Sequence, residues 1–462
     1  MTLARRRFGH CRAAAFLLVA GCAVPPSPPP APAAPGVIAA YTVMAGGERR
    51  LARVITTAAA CPAAEFDGKT AAMAVRAGPA TEPARGHGED SKPAVFDVLT
   101  CEVEIPAGVL LARVEGQALP LPPAQIRSIV ILGDTGCRMR GPFAYQDCAD
   151  LASWPLAQIA GLAARLKPDL VIHVGDYHYR ESPCPAGLAS CAGSPWGYGF
   201  DVWNADFFQP MRPLLAAAPW VFVRGNHETC SRAGQGWFRF VAPEPWSAAR
   251  SCDDPALDAG ADYSAPYAVA LDPDTQLIVF DSSRTVAHAY NPQSEPYARY
   301  YAEFLGVKRL AAQVPHSLFV SHHPVLAFFP QTVGSTVEAG PGDAGLQSVM
   351  RAIEPKRLFP PGVEVALHGH VHLFEALSFA SDHPATLVLG NAGSYRDQAL
   401  PAAAALHAEP APGAVVKEFT SLHNFGFASL ARDGAGWQLT EWDWRGEAIL
   451  HCRLQGASIH CE

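Results

Sequence analysis

Five short polar stretches carry the chemistry of this sequence: GDTG at 133–136, GDYHY at 175–179, GNHE at 225–228, SHHP at 321–324 and GHVH at 369–372. Each is ordinary alone, because a Gly-Asp pair after a strand is commonly a turn and a lone histidine is more often a hydrogen-bonded core residue than a ligand. Together they supply two carboxylates, a phenol, an amide and several imidazoles. Two neighbouring cations of hard to borderline character need anionic oxygen and imidazole ligands of this kind, with one carboxylate able to bridge them. His370 and His372 stand two apart, so on an extended segment they point to the same side and can serve adjacent ions, with Val371 facing away.

Each stretch follows an apolar run that reads as a buried strand. Residues 128–132, 170–174, 220–223, 317–320 and 363–367 are short and β-branched or apolar, as parallel strands covered on both faces are. Between the first two, Leu156, Ile159, Ala163 and Leu166 repeat at helical spacing; Ser153 is placed to cap that helix and Lys167-Pro168 to stop it. A further helical stretch spans 201–217, another strand spans 276–280, and 425–431 and 436–444 read as closing antiparallel strands. In open α/β sheets ligands bind outside the carboxyl ends of the strands, so these tips should converge on one rim.

The ordered set resembles the calcineurin-like metallophosphoesterase superfamily, whose blocks run GDxH or GDxG, GDxx, GNH[DE], a strand-ending His and GHxH. The glycine of GDTG and the second tyrosine of GDYHY are most like the purple acid phosphatases, over about residues 120–445. The resemblance implies an α/β fold, a four-layer αββα sandwich. It implies one metal held by Asp134, Asp176, Tyr179 and His372 and a second by Asp176, Asn226, His322 and His370, with Asp176 bridging. It also implies hydrolysis of phosphoric esters, monoesters first, by in-line attack of a metal-bound hydroxide, and makes His227 the catalytic residue that contacts the phosphoryl group or protonates the leaving group. A phenolate at Tyr179 favours Fe(III), paired with Fe(II), Zn(II) or Mn(II). His322 is preferred over His323 as ligand because it stands two before the proline, with the reverse assignment open.

The sequence departs from that family in two places: Phe319-Val-Ser-His322 begins with Phe where the family often has Val, and 324–367 holds no histidine. If a general acid is needed, His323, His178 or Glu338 would have to supply it. His323 and Arg138 are candidate substrate contacts, although a solvated loop arginine is an equal reading. His173 reads as a packed core residue, His368 as a hydrogen-bonding neighbour of GHVH and Asp281 as structural. A phosphodiesterase or nucleotidase with two manganese or zinc ions is the alternative inside the superfamily. Outside it stands a non-catalytic surface binding lipoprotein, against which the intact donor set argues.

Composition supports export and excludes one partner class. The net charge of -8 disfavours non-specific nucleic-acid binding, so metal cations must supply positive charge for a small phosphate-ester substrate. Residues 1–22 read as a signal peptide, with Arg5, Arg6, Arg7 and Arg12 before a short apolar run, and Val19-Ala20-Gly21-Cys22 resembles a lipobox. Arg5-Arg6-Arg7-Phe8 faintly resembles a twin-arginine signal. Lipidation of Cys22 would anchor the protein to a membrane, in the periplasm or cell envelope. Residues 23–36 form a Pro-rich tether, 37–123 a small β domain and 124–462 the catalytic domain. Of twelve cysteines, ten lie beyond Cys11 and Cys22. Near neighbours are expected to pair: Cys61 with Cys101, Cys137 with Cys148, Cys184 with Cys191, Cys230 with Cys252 and Cys452 with Cys461.

Overall fold

The computed structural model describes residues 36–86, 91–141 and 144–462. The expected signal peptide, the lipobox cysteine Cys22 and the tether up to residue 35 lie outside the described residues. Two large sheets make up the centre. The first has 11 strands, in which the parallel strands Ser128–Leu132, Leu170–His173 and Trp220–Phe222 sit side by side. The second has 7, with Thr275–Val279, His316–Val320, Val363–His368 and Ala385–Leu389 parallel and adjacent.

The apolar runs of the sequence form these strands because every residue in them faces other protein. Ile129 and Ile131 meet Leu277, Leu318, Val365 and Leu387 between the sheets, while Val130 and Leu132 point the other way, toward Leu156, Ile159, Met211 and Leu214. On the second sheet Ile278, Phe319 and Ala366 pack outward against Tyr300, Phe304, Leu346 and Val349 of the helices Glu295–Ala311 and Ala344–Ile353. The layers therefore run helix, sheet, sheet, helix, the αββα sandwich expected of the sequence. Asp343 caps the second of these helices, accepting from Leu346 N at 2.7 Å. Among the described residues no helix is long and apolar enough to cross a membrane.

The N-terminal region is β-rich, as expected, and its connection to the catalytic sheet is the main addition. Strand Val37–Met44 lies parallel to Trp220–Phe222, with Val43 opposite Trp220, and Arg50–Thr56, Leu99–Glu104 and Ala74–Ala77 extend the same sheet outward. A separate four-stranded sheet that includes Ala63–Phe66 and Ala112–Val114 covers this extension through Phe66, Val114 and Leu119 on Ala52 and Val54. Residue 123 itself lies in coil, and strands from both sides of it share one hydrogen-bonded sheet. Buried Arg53 and Arg76 reinforce the connection. Both pair with Glu102, and both donate to backbone carbonyls around helix Gly234–Phe240, Arg53 to Phe240 O at 2.7 Å and Arg76 to Phe238 O at 2.8 Å.

All five expected disulfides form: Cys61–Cys101, Cys137–Cys148, Cys184–Cys191, Cys230–Cys252 and Cys452–Cys461. Five disulfides suit an exported protein, whose surroundings are oxidising. Two local readings need correction. Ser153 does not cap the first helix, which spans Leu156–Arg165 and starts after Pro155; the Ser153 hydroxyl instead accepts from Asp147 N at 3.1 Å. The stretch 201–217 is not one α-helix but Phe200–Trp203 and Gln209–Leu215 separated by a π turn over Asn204–Phe208. That turn carries Asp206 into the interior, where it is fully buried.

Candidate metal centre

The strand tips converge as the topology requires. Asp134 follows Ser128–Leu132, Asp176 and Tyr179 follow Leu170–His173, Asn226 and His227 follow Trp220–Phe222, His322 follows His316–Val320, and His370 and His372 follow Val363–His368. Asp134, Asp176 and His370 adopt left-handed backbone, with φ of 56°, 57° and 71°. Non-glycine residues rarely sit there, and such strain collects at functional sites. The glycines before the donors have a steric reason. A Cβ on Gly225 would stand 2.0 Å from Asp176 Oδ1, and one on Gly175, at φ of 106°, would stand 2.4 Å from His322 Nδ1.

Two donor groups share Asp176. In the first, the Tyr179 hydroxyl lies 2.8 Å from Asp134 Oδ1, 3.0 Å from Asp176 Oδ2 and 2.9 Å from His372 Nε2. In the second, His322 Nε2 lies 3.2 Å from Asp176 Oδ2, 3.1 Å from Asn226 Oδ1 and 3.3 Å from His370 Nδ1, which is itself 3.0 Å from Asn226 Oδ1. It is His322 rather than His323 that meets these partners. His323 hydrogen-bonds Ser282 and leans its ring on His370 at 4.2 Å.

The donor set fits a pair of cations. His322 Nδ1 donates to Val174 O at 2.9 Å, so Nε2 presents a lone pair to Asn226 and Asp176 oxygens that are themselves acceptors. His372 Nδ1 likewise donates to Tyr395 O at 2.5 Å, turning its Nε2 toward Tyr179 and Asp134. Converging lone pairs repel unless a cation or a proton lies among them. The titration of the protein groups alone carries the same message. Burial would lower the His322 pKa, yet Asp176 beside it pushes it up to about 9. Burial, with Asp134 and Asp176 adding to it, pushes the Tyr179 phenol well above its ordinary range. Burial and then His322 lower His370 to about 3. Burial would raise the Asp176 carboxyl, but His322 and His227 hold it well below its usual value. Cys230, Cys252 and Asp262 also lie together, but the two sulfurs are bonded to each other and hold no thiolate.

Other sequence candidates fall as follows. The ring of His227 lies 4.0 Å from that of Tyr179, with Nε2 3.7 Å from Asp176 Oδ2, facing the centre. Arg138 is half-buried over the Tyr179 ring, its guanidinium carbon 4.9 Å from the centroid and its Nε 3.4 Å from Ser394 Oγ. His178 is turned away from the centre, fully buried with its ring against Tyr198 and Trp203; only its carbonyl reaches the site. Glu338 is exposed on the hairpin of Phe329–Val333 and Thr336–Gly340. His173 is a core residue, stacked on Tyr177 and hydrogen-bonded to Thr135. His368 bonds Ser321, whose hydroxyl donates to His323 O, and Asp281 accepts from Ser283 N.

Several supporting residues were not among the sequence candidates. Asp206 accepts from the backbone N–H of Cys137, Tyr179 and Arg180 at 2.9–3.1 Å and from Arg180 Nε at 2.6 Å, fixing the loops that carry Asp134 and Tyr179. Buried Glu228 accepts from Asp176, Tyr177, His178 and Gly225 backbone N–H groups. Glu181, Arg232 and Asp397 complete the surroundings. Glu228 stands inside GNHE, so its motif could have pointed to it; the rest are found only by folding.

Residues 127–374 match the calcineurin-like phosphoesterase family, and the chain belongs to that family. It is a phosphoester hydrolase of the metallophosphoesterase superfamily. Its fold is similar to that of the purple acid phosphatase PPD1 from yellow lupin (Lupinus luteus) seeds, with 15% identity, 89% of this chain and 72% of that chain covered, and a TM-score of 0.51. It is also similar to that of PhoD, with 11% identity, 92% of this chain and 91% of that chain covered, and a TM-score of 0.54. At these identities the likeness is one of fold. No curated protein matches the sequence.

Proposed function

We propose that this protein is an exported, acid-phosphatase-like hydrolase of small phosphate monoesters that works at a dinuclear metal centre. Asp134, Asp176, Tyr179 and His372 would hold Fe(III), and Asp176, Asn226, His322 and His370 would hold Fe(II), Zn(II) or Mn(II). The observation that carries this reading is Tyr179, a buried phenol within 3.0 Å of two carboxylates and an imidazole. Burial and the two carboxylates outweigh the Arg138 guanidinium and disfavour its phenolate, so a hard, highly charged cation is the partner that would favour it. Bound there, the pair of ions supplies an activated water and charge neutralisation at phosphorus.

The chain's own residues do the rest. Asp176 orients both donor groups at once, and Val174 O and Tyr395 O fix the tautomers of His322 and His372. The His227 ring and the Arg138 guanidinium both lie against the Tyr179 ring, and they are the groups we take to be available to phosphoryl oxygens. His323, backing His370, is a weaker candidate for that role. We place the protein in the periplasm or cell envelope, anchored through a lipid on Cys22, with no nucleic-acid partner. The five disulfides support an oxidising location.

The test is metal content with a visible spectrum of the purified protein, followed by turnover of p-nitrophenyl phosphate and bis(p-nitrophenyl) phosphate. Two metals per chain, a tyrosinate-to-Fe(III) band, faster monoester turnover and its abolition in a folded Asp176→Ala variant are expected. Faster diester turnover with manganese or zinc and no band would replace this reading with the phosphodiesterase one. No turnover of either ester would leave a binding protein.

A further inference from the structure

His227 has two nitrogens, and the structure gives them different neighbours. Nε2 faces the metal centre, 3.7 Å from Asp176 Oδ2. Nδ1 lies 2.6 Å from Arg232 Nη2 and 2.7 Å from the carbonyl oxygen of His178. The two neighbours make opposite demands. A proton on Nδ1 would satisfy the carbonyl and collide with an Arg232 N–H, whereas a bare Nδ1 accepts from Arg232 and loses the carbonyl. A guanidinium cannot shed its proton, while an imidazole can carry its own on either nitrogen. The hydrogen bond from a charged donor is also about twice as strong as a neutral one. Arg232 therefore decides the matter.

Arg232 is held so that it cannot swing aside. Its Nε donates to Glu181 Oε1 at 2.6 Å and its Nη1 to Asn226 O at 3.2 Å. Glu181 is itself buried, and Tyr198 donates to it at 3.2 Å while Arg140 Nε stands 3.3 Å away. The carboxylate that might have taken a proton from Nδ1 is left 3.7 Å from it, with the guanidinium bonded to both.

We infer that Arg232 is a positioning residue that fixes His227 as a one-proton donor: the ring offers Nε2–H to a phosphoryl oxygen and is not the acid that protonates the leaving group. A ring whose Nδ1 accepts from a guanidinium has a single N–H, and it points at the centre. Giving that proton away would leave the ring with none, so Nε2–H is shared with the phosphoryl oxygen and retained throughout the reaction. The leaving-group oxygen then takes its proton from solvent. This inference rests on the reading of His227 as a group that meets the substrate.

The experiment compares p-nitrophenyl phosphate with an alkyl phosphate, whose leaving group needs a proton far more, in the full-length metal-loaded protein. His227→Ala, His227→Asn, Arg232→Met and Arg232→Lys are measured with metal content and visible spectrum as controls. His227→Ala and Arg232→Met should each lower kcat/KM by about 10- to 100-fold, by the same factor for both esters, because a hydrogen-bond donor to a phosphoryl oxygen does not sense the leaving group. The double variant should lose little more than either single one, and Arg232→Lys and His227→Asn, which each retain an N–H donor, should recover part of the loss. A loss in His227→Ala several-fold larger for the alkyl ester would overturn the inference by making His227 the acid. Full activity in Arg232→Met with metals intact would also overturn it. Full activity in His227→Ala would instead remove the reading of His227 on which it rests. If Arg232→Met fails to retain metal, Arg232→Lys carries the comparison.

Discussion

At the scale of single residues, the proposed donors were legible as a converging set because each sits in a contiguous stretch of four or five residues at the end of a strand. Glycine, donor and turn are encoded together there, and the steric reason is visible in the structure. Gly225 has no room for a side chain, because Asp176 Oδ1 and Asp176 N would lie 2.0 and 2.3 Å from its Cβ. Gly225→Ala is therefore expected to fold but to displace Asp176, the one carboxylate common to both donor groups. A displacement near 1 Å costs about 100-fold in turnover, so steady-state kinetics with p-nitrophenyl phosphate checks it directly, and near-normal kcat would count against Asp176 as the shared ligand. Tyr179→Phe tests the other donor group. It should abolish the visible band while the Asp176, Asn226, His322 and His370 set keeps its ion, which metal analysis would show as loss of about one metal per chain rather than two. Arg232 and Glu181 were not legible at this scale, because a buried arginine between a histidine and a carboxylate has no sequence signature: its partners are chosen by folding.

At the scale of elements, the strands were read to within a residue or two, since buried parallel strands are short, apolar and bounded by polar tips. The failures lie where tertiary partners override local preference. The apolar spacing of 201–217 is helical, yet a π turn interrupts it, and the interruption is what brings Asp206 to Arg180 and to three backbone donors. Likewise nothing local tells strand Val37–Met44 to lie beside Trp220–Phe222, so the sheet that the β-rich N-terminal region shares with the catalytic strands was not legible. The disulfides were legible for the opposite reason, since each joins near neighbours in sequence. Asp206→Ala removes one partner of a buried ion pair and leaves Arg180 without its carboxylate, a loss of about 3–5 kcal/mol. Urea unfolding should show that loss, and because Asp206 also holds the Tyr179 backbone, any visible band should shift in the fraction still folded. Unchanged unfolding would mean that the π turn is not what positions the Tyr179 loop.

At the scale of the whole molecule, buried carboxylates outside the proposed donor set contribute to how stability responds to pH, and they pull in two directions. Burial pushes Glu375 and Glu441 up to about 8; the first accepts from Phe328 N at 3.3 Å and the second from Asn391 at 2.8 Å, too few donors to offset lost hydration. Their folded values exceed their unfolded ones, so their contribution is complete below about 4.5 and is lost as pH rises toward 8, at up to about 1.4 kcal/mol per pH unit for each group. Glu102 behaves in the reverse way. Burial would raise it, but Arg53 and Arg76 more than offset this and hold it below its ordinary value. Its contribution is complete above the unfolded value and is lost as pH falls through the folded one. The two slopes oppose each other, so urea unfolding at constant metal occupancy should show Glu375 and Glu441 lowering stability as pH rises toward 8 and Glu102 lowering it in acid. Glu375→Gln with Glu441→Gln should flatten the loss between pH 5 and 8 and leave the acid side alone, whereas Glu102→Gln should flatten the acid side and loosen the N-terminal strands. Stability that climbs steadily from pH 5 to 8, untouched by the paired glutamine substitutions, would show that these two carboxyls are ionised in the folded protein and that the sandwich core is wetter than its packing indicates.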